Sequence, residues 1–271
     1  METTIKYISP HLKKIKIYKK KKKMNFTLIP KTPITQTTDP IYVGSSVIGI
    51  KYNKGIIIAC DTRLNYGSLC KIMHTERISK ITERTIIGYS GEYSDMQETL
   101  RALNAMVLED NLSSNNKPYL GPIELTNYLS SLHYYKRNKM NPYLNNVICG
   151  GIDWNGDVVL LNIDPFGTLL NANYFTTSMS HYFCNAILRN EYPNDPKDIS
   201  KEKAVEIIKK CFEVLFERHS QAGNQIQYAI IEKNDNEGND IKFESGEFEL
   251  KGRWDADMYK NKTNEYHYLI S

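Results

Sequence analysis

The chain has 271 residues, 41% hydrophobic and 24% charged, and five cysteines; this lies in the ordinary globular range and is long enough for a substantial core. Its net charge of +4 is uneven: residues 1–36 hold ten lysines against Glu2 alone, which is +9, so residues 37–271 carry −5. The apolar runs stop well short of the roughly 20 residues of a membrane helix. Cys60, Cys70, Cys149, Cys184 and Cys211 form no CxxC pair and sit in apolar segments, and their odd number argues against a closed disulfide framework, which points to buried thiols in a reducing compartment.

In chain order, the basic arm comes first. It has no arginine and no continuous apolar segment, so it fits neither a secretory signal nor a mitochondrial presequence. It reads as a disordered, removable extension over 1–36. The run Lys19 to Lys23 also suits a nuclear address or a phosphate contact, but no basic and aromatic stripe follows it, and no nucleic acid is expected as a partner. The six histidines supply no zinc-type spacing with the cysteines, so neither a metal nor another cofactor is expected.

Strands are predicted at Val47 to Tyr52 and Gly55 to Thr62, around Lys71 to Met73, and at Thr85 to Tyr89. From Ser94 to Leu108, Met96, Leu100, Leu103, Met106 and Val107 recur at helical spacing, with Ser94 as N-cap. A second helix starts near Pro122, carries Ile123, Leu125, Tyr128, Leu129 and Leu132, and ends in the basic 136–139 segment before Pro142. Val147 to Asp153, Val158 to Ile163 and Leu169 to Tyr174 form a second strand block, with Asn155-Gly156 as a tight turn. Helices follow at about His181 to Leu188 and from Ser200, where Ala204, Val205, Ile208, Cys211, Phe212 and Leu215 make one stripe. Gln225 to Ile231 closes the sheet region. Two strand blocks, each followed by a helix pair, predict an α+β fold in which two sheets lie between helical layers.

Gly44-Ser45 heads the first strand pair. Tyr66-Gly67-Ser68-Leu69, Ser90-Gly91-Glu92-Tyr93-Ser94-Asp95, Lys139-Met140-Asn141-Pro142, Ser178 to Tyr182 and Trp254-Asp255 follow in order. In this order and spacing, over about residues 37–258, the chain resembles the proteasome β subunits and is similar to a noncatalytic member of them. The resemblance implies a four-layer αββα sandwich of the N-terminal nucleophile hydrolase type. In active members, cleavage after a glycine frees a hydroxyl residue whose α-amine is the general base, with an aspartate 16 residues on and a lysine 32 residues on. Here those positions are Ser45, Asp61 and Arg77. Serine is a competent nucleophile, but a guanidinium with a pKa above about 12 cannot exchange a proton as a desolvated lysine does.

Active members also carry an aspartate and, three residues later, a serine beyond the long helix. The matching positions are His219 and Ala222, and Gly223 alone remains of a glycine pair. A further hydroxyl position falls near Met179, with Ser178 and Ser180 both open for it. The resemblance therefore implies a noncatalytic structural subunit of the 20S core, cytoplasmic and nuclear, serving protein degradation by the whole complex. Its implied partners are β subunits of its own ring, an α-ring subunit and β subunits of the opposite ring, with no membrane. The extension is expected to be cut before Thr37 by another subunit, within Ile34-Thr35-Gln36-Thr37-Thr38-Asp39-Pro40. Residues 259–271, with Tyr259, Tyr266, Tyr268, Leu269 and Ile270, are expected to form a tail for contact between subunits. The rival reading is an active serine-type hydrolase using Ser45, and another is a basic-arm nucleic-acid binder.

Overall fold

The computed structural model describes residues 39–114, 119–234 and 241–251. The basic arm, the predicted cut before Thr37, most of the 234–239 loop, Trp254-Asp255 and the 259–271 tail lie outside the described residues.

Two antiparallel sheets face each other. The first runs β10 (Leu169–Asn171), β9 (Val158–Ile163), β8 (Asn145–Ile152), β7 (Thr85–Glu92), β1 (Tyr42–Gly44), β4 (Leu64–Tyr66) and β5 (Leu69–Ile72), with β6 (Ile78–Thr82) also on β7. The second runs β11 (Tyr174–Thr176), β2 (Val47–Tyr52), β3 (Gly55–Asp61), β12 (Gln225–Lys233) and β13 (Ile241–Glu249). Helices α1 (Tyr93–Ser113) and α2 (Pro122–Asn138) cover the first sheet, and α3 (Ser180–Glu191) and α4 (Lys201–Arg218) cover the second. This is the expected αββα order.

Strand periodicity explains the layering. On β3, Ile57 and Ala59 point to α3 and α4, while Ile56, Ile58 and Cys60 point to the other sheet. A strand buried on both faces reads as a continuous apolar run, which is how Gly55 to Cys60 appears in the sequence. The stripe of α4 closes the outer core with Ala204, Ile208, Cys211, Phe212 and Leu215, and α1 and α2 bring Met96, Leu103, Leu125 and Leu129 to the opposite face. Each fully buried aliphatic side chain contributes about 1.5–3 kcal/mol.

Several expectations need correction. The first helix is capped by the Glu92 carboxylate, which accepts from Ser94 N–H (3.4 Å) and Ser94 Oγ–H (3.0 Å), so Ser94 lies inside the first turn and is not the cap. The predicted strand Leu169 to Tyr174 is two strands: β10 ends at Asn171 in one sheet and β11 begins at Tyr174 in the other. The third predicted strand lies at Leu69–Ile72 rather than Lys71 to Met73. β1, β4, β6 and β13 were not predicted. On β13, Ile241 and Phe243 join the core between the sheets, whereas Phe248 packs on the helix side against Tyr228. That change of face breaks the simple alternation a strand search relies on.

His133 on α2 is fully buried, and its Nδ1 lies 3.0 Å from the Asp164 carbonyl in the β9–β10 turn. Burial lowers its pKa from the ordinary 6.5, and Asp164 only partly opposes the shift. The unfolded chain then binds the proton more readily than the folded one. Its contribution to stability is full above about pH 6.5 and is lost as pH falls from there through the folded value. Thermal unfolding from pH 7.5 to 5.5 is therefore expected to show a decline in midpoint that is shallower in His133→Asn. An unchanged slope in that variant would remove His133 as the cause.

Candidate functional site: the Gly44-Ser45 crossing

The chain passes from the first sheet to the second at Ser45-Ser46, between β1 and β2. Polar side chains pin the crossing to Thr177 and the first residue of α3: Val47 N–H donates to Thr177 Oγ1 (3.0 Å), and Ser180 N–H donates to Ser46 Oγ (3.0 Å). Ser45 is buried at 3% exposure.

Arg77 lies just before β6 and is 1% exposed. Along the same edge of β7, β6 covers Thr85 to Gly88 and β1 covers Gly91 and Glu92, so Tyr89 falls in the gap between them. Arg77 fills that gap. Its carbonyl accepts from Tyr89 N–H (3.0 Å), and its Nη1 donates back to Tyr89 O (3.0 Å). The same guanidinium donates to the carbonyls of Ser45 (3.1 Å), Ser46 (3.4 Å) and, through Nε (3.1 Å), Asp61. It also forms an ion pair with the Asp61 carboxylate. Asp61 Oδ2 accepts from Gly223 N–H at 3.1 Å. Burial raises the Asp61 pKa, against the opposing pull of Arg77 and of the Gly223 N–H. Asp61 and Arg77 thus meet as a buried pair, and the guanidinium fastens β7 of one sheet to β3 of the other at the place where the chain crosses.

Gly44 has its own part in this packing. A Cβ at position 44 would fall 2.4 Å from Arg77 Cδ and 2.9 Å from Nε. Its register partners are Leu64 on one side and Gly91 on the other, so β1 is an interior strand. Gly91 has φ +104°, and a Cβ there would meet the Leu144 carbonyl at 2.1 Å, so only glycine fits. The Glu92 carboxylate holds the strand's entry by accepting the backbone N–H groups of Ile41 and, at 3.1 Å, Tyr42, while its other oxygen caps α1. Tyr42 and Tyr66 pair their rings across the β1–β4 ladder at 5.6 Å.

His219 is the C-cap of α4; its N–H donates to Leu215 O (2.8 Å) and its Nδ1 lies 3.3 Å from Ser45 Oγ. Burial lowers the imidazole pKa, with Arg63 adding to the shift and Asp61 opposing it. Ala222 is buried against the outer core and offers no side-chain donor or acceptor; its carbonyl accepts from Arg63 Nη1 at 3.3 Å. Of the two hydroxyls near Met179, Ser180 is fully buried and bonded to Thr177 O, and Ser178 is exposed with φ +54°.

The structure therefore gathers Ser45, Asp61, Arg77, His219 and Ala222 around one crossing. Sequence reasoning missed Glu92, Tyr89 and Gln227, whose Oε1 accepts from the N–H groups of Arg77 (3.0 Å) and Ile78 (3.2 Å). A glutamine between Ile226 and Tyr228 in a strand and an acid just before a helix were the available signals. Among the described residues no group of three or more His, Cys, Asp or Glu could hold a metal ion, and no helix is long and apolar enough to cross a membrane.

The family model described as proteasome subunit matches residues 41–231. The chain is 33% identical over 199 residues to proteasome subunit beta type-4 of Xenopus laevis, covering 73% of this chain and 81% of the relative. It is 34% identical over 228 residues to proteasome subunit beta type-4 of Arabidopsis thaliana, covering 84% and 88%. It is also 34% identical over 209 residues to proteasome subunit beta type-7 of Saccharomyces cerevisiae, covering 75% and 78%. The chain belongs to the proteasome subunit family, among the β subunits of type 4 and type 7.

Proposed function

We propose that this proteasome β subunit is a noncatalytic, structural member of the 20S core, standing at the beta-7 position of the ring, whose work is to bury surfaces against other subunits so that the whole complex degrades protein. Arg77 carries this reading. Every N–H group of its head faces a carbonyl or the Asp61 carboxylate, so it can neither release a proton nor move aside for an amine. Loss of an effective general base removes about 10² to 10⁴ in rate, and groups acting as a unit fail together. Ser45 N belongs to a peptide bond whose preceding residue is locked between β4 and β7, and the residues at 219 and 222 supply no carboxylate and no hydroxyl.

In this reading the partners are β subunits of the same ring, an α-ring subunit and β subunits of the facing ring, in cytoplasm and nucleus. Another subunit removes residues 1–36, and the cut before Thr37 leaves β1 in place.

One observation favours the rival, an active serine-type peptidase. A neutral imidazole 3.3 Å from a hydroxyl is a nucleophile and base pair in outline. Both readings are tested on assembled particles treated with a covalent proteasome inhibitor and examined by intact mass and N-terminal sequencing of each subunit. The expected result is a chain that begins at Thr37 and carries no adduct. A chain that begins at Ser45, or an adduct on Ser45, would overturn the noncatalytic reading.

A further inference from the structure

The C-terminal end of α2 and the β9–β10 turn place a guanidinium between two exposed rings. Arg137 stands 5.4 Å from the Phe166 ring centroid and 6.0 Å from that of Tyr134. Just beyond the helix end, Lys139 stands 5.6 Å from the Tyr135 ring, and Met140 projects beside it at 78% exposure. Phe166, Tyr134 and Tyr135 are each more than half exposed. Neither Arg137 nor Lys139 forms an ion pair among the described residues.

The local backbone is fixed on both sides of this group. Asp164 Oδ1 accepts from Phe166 N–H (2.8 Å) and Thr168 N–H (2.7 Å), and Ser130 Oγ–H on α2 donates to Gly167 O (2.6 Å), so the turn carrying Phe166 is bound to the helix carrying Arg137. Met140, at φ +56°, donates its N–H to Arg137 O at 2.9 Å. A planar fork beside two rings and offered to solvent matches a carboxylate in a bidentate geometry. Arginine, tyrosine, phenylalanine and methionine are also the residues enriched at interfaces.

We propose that this face is a docking surface for an acidic peptide segment of a neighbouring proteasome subunit, with Arg137 receiving one Asp or Glu carboxylate and the Phe166, Tyr134 and Tyr135 rings enclosing it. Charge complementarity selects the occupant: Arg137 and Lys139 have no counter-ion among the described residues, so the segment that seats here brings the negative charge. The inference rests on the reading of the chain as a core subunit and names one of its contacts.

The test expresses the full chain, as wild type and as Arg137→Glu, in competition for incorporation into 20S particles, with each version carrying a different tag. Arg137→Glu is expected to lose at least about tenfold in the incorporated ratio, and Arg137→Lys less, because an ammonium lacks the fork. The thermal midpoint of the isolated chain should be the same in all three, since the side chain is exposed. Wild type absent from particles would sink the subunit reading and this contact with it. Wild type incorporated and Arg137→Glu equal to it would overturn the contact alone. So would an Arg137-dependent, salt-sensitive affinity for RNA that accounts for the whole effect, since that would assign the face to phosphate.

Discussion

Replacing Arg77 by methionine is expected to lower the thermal midpoint by about 6–20 °C, as breaking a buried ion pair costs about 3–5 kcal/mol and a domain of this size shifts about 2–4 °C per kcal/mol. The cost has a definite origin. The substitution leaves the Asp61 carboxylate buried without its cation, and it orphans the carbonyls of Ser45 and Tyr89 where the two sheets meet. Asp61→Leu alone should be costly for the mirror reason, an unpaired guanidinium at 1% exposure. The two changes together should cost less than either alone, because a buried pair exchanged for apolar residues of similar volume avoids both bare charges. Thermal unfolding of the two single variants and the double variant measures this directly. Single costs that simply add would show that Arg77 and Asp61 do not act as a pair.

The conservative exchange separates structure from chemistry. Arg77→Lys keeps the charge and loses the fork, so it should destabilise by about 1–3 kcal/mol through unsatisfied carbonyls. It should not create a peptidase: His219 and Ala222 still lack the carboxylate and hydroxyl of the active pattern, and the Gly44-Ser45 bond still runs through the interior strand β1. An inhibitor adduct on Ser45 in assembled Arg77→Lys particles, with a new N-terminus at Ser45, would mean that one residue had silenced the site.

How far the sequence could be read follows from how local each feature is. The outer stripe of α4 and the apolar run of β3 repeat with their own periods, so they were visible without the fold. The positions of Asp61 and Arg77 came from the resemblance to the proteasome β subunits, but their buried pairing did not show in the sequence, because it joins the end of β3 in one sheet to the residue before β6 in the other. β1 did not show either, since Tyr42-Val43-Gly44 is too short to show a period and becomes a strand only because β4 and β7 offer edges on both sides. β13 failed differently: Phe243 and Phe248 face opposite layers, and Gly246 interrupts the run. The contact of Ser45 Oγ with His219 joins residues 174 apart and exists only after α4 has packed. Glu92 looked like part of a motif, while its work is to hold Ile41 and Tyr42 by their backbones and to cap α1 at once.

Gly44 raises the sharpest remaining question, because a glycine before a hydroxyl residue is read from sequence as a cleavage site and from the structure as a packing site. The geometry favours packing. A methyl at position 44 would sit 2.4 Å from Arg77 Cδ; β1 cannot shift to relieve it while paired on both edges, and Arg77 cannot shift while its head is bonded to both sheets. Gly44→Ala is therefore expected to cost about 1–3 kcal/mol, the usual range for overpacking. In the Asp61→Leu, Arg77→Met background the same substitution should cost at least about 1 kcal/mol less, since a flexible thioether accommodates what a fixed guanidinium does not. The N-terminus found in assembled particles should be the same for wild type and for Gly44→Ala, because the cut lies upstream of β1. Equal costs in both backgrounds would remove Arg77 as the reason for the glycine, and a changed N-terminus would return position 44 to processing.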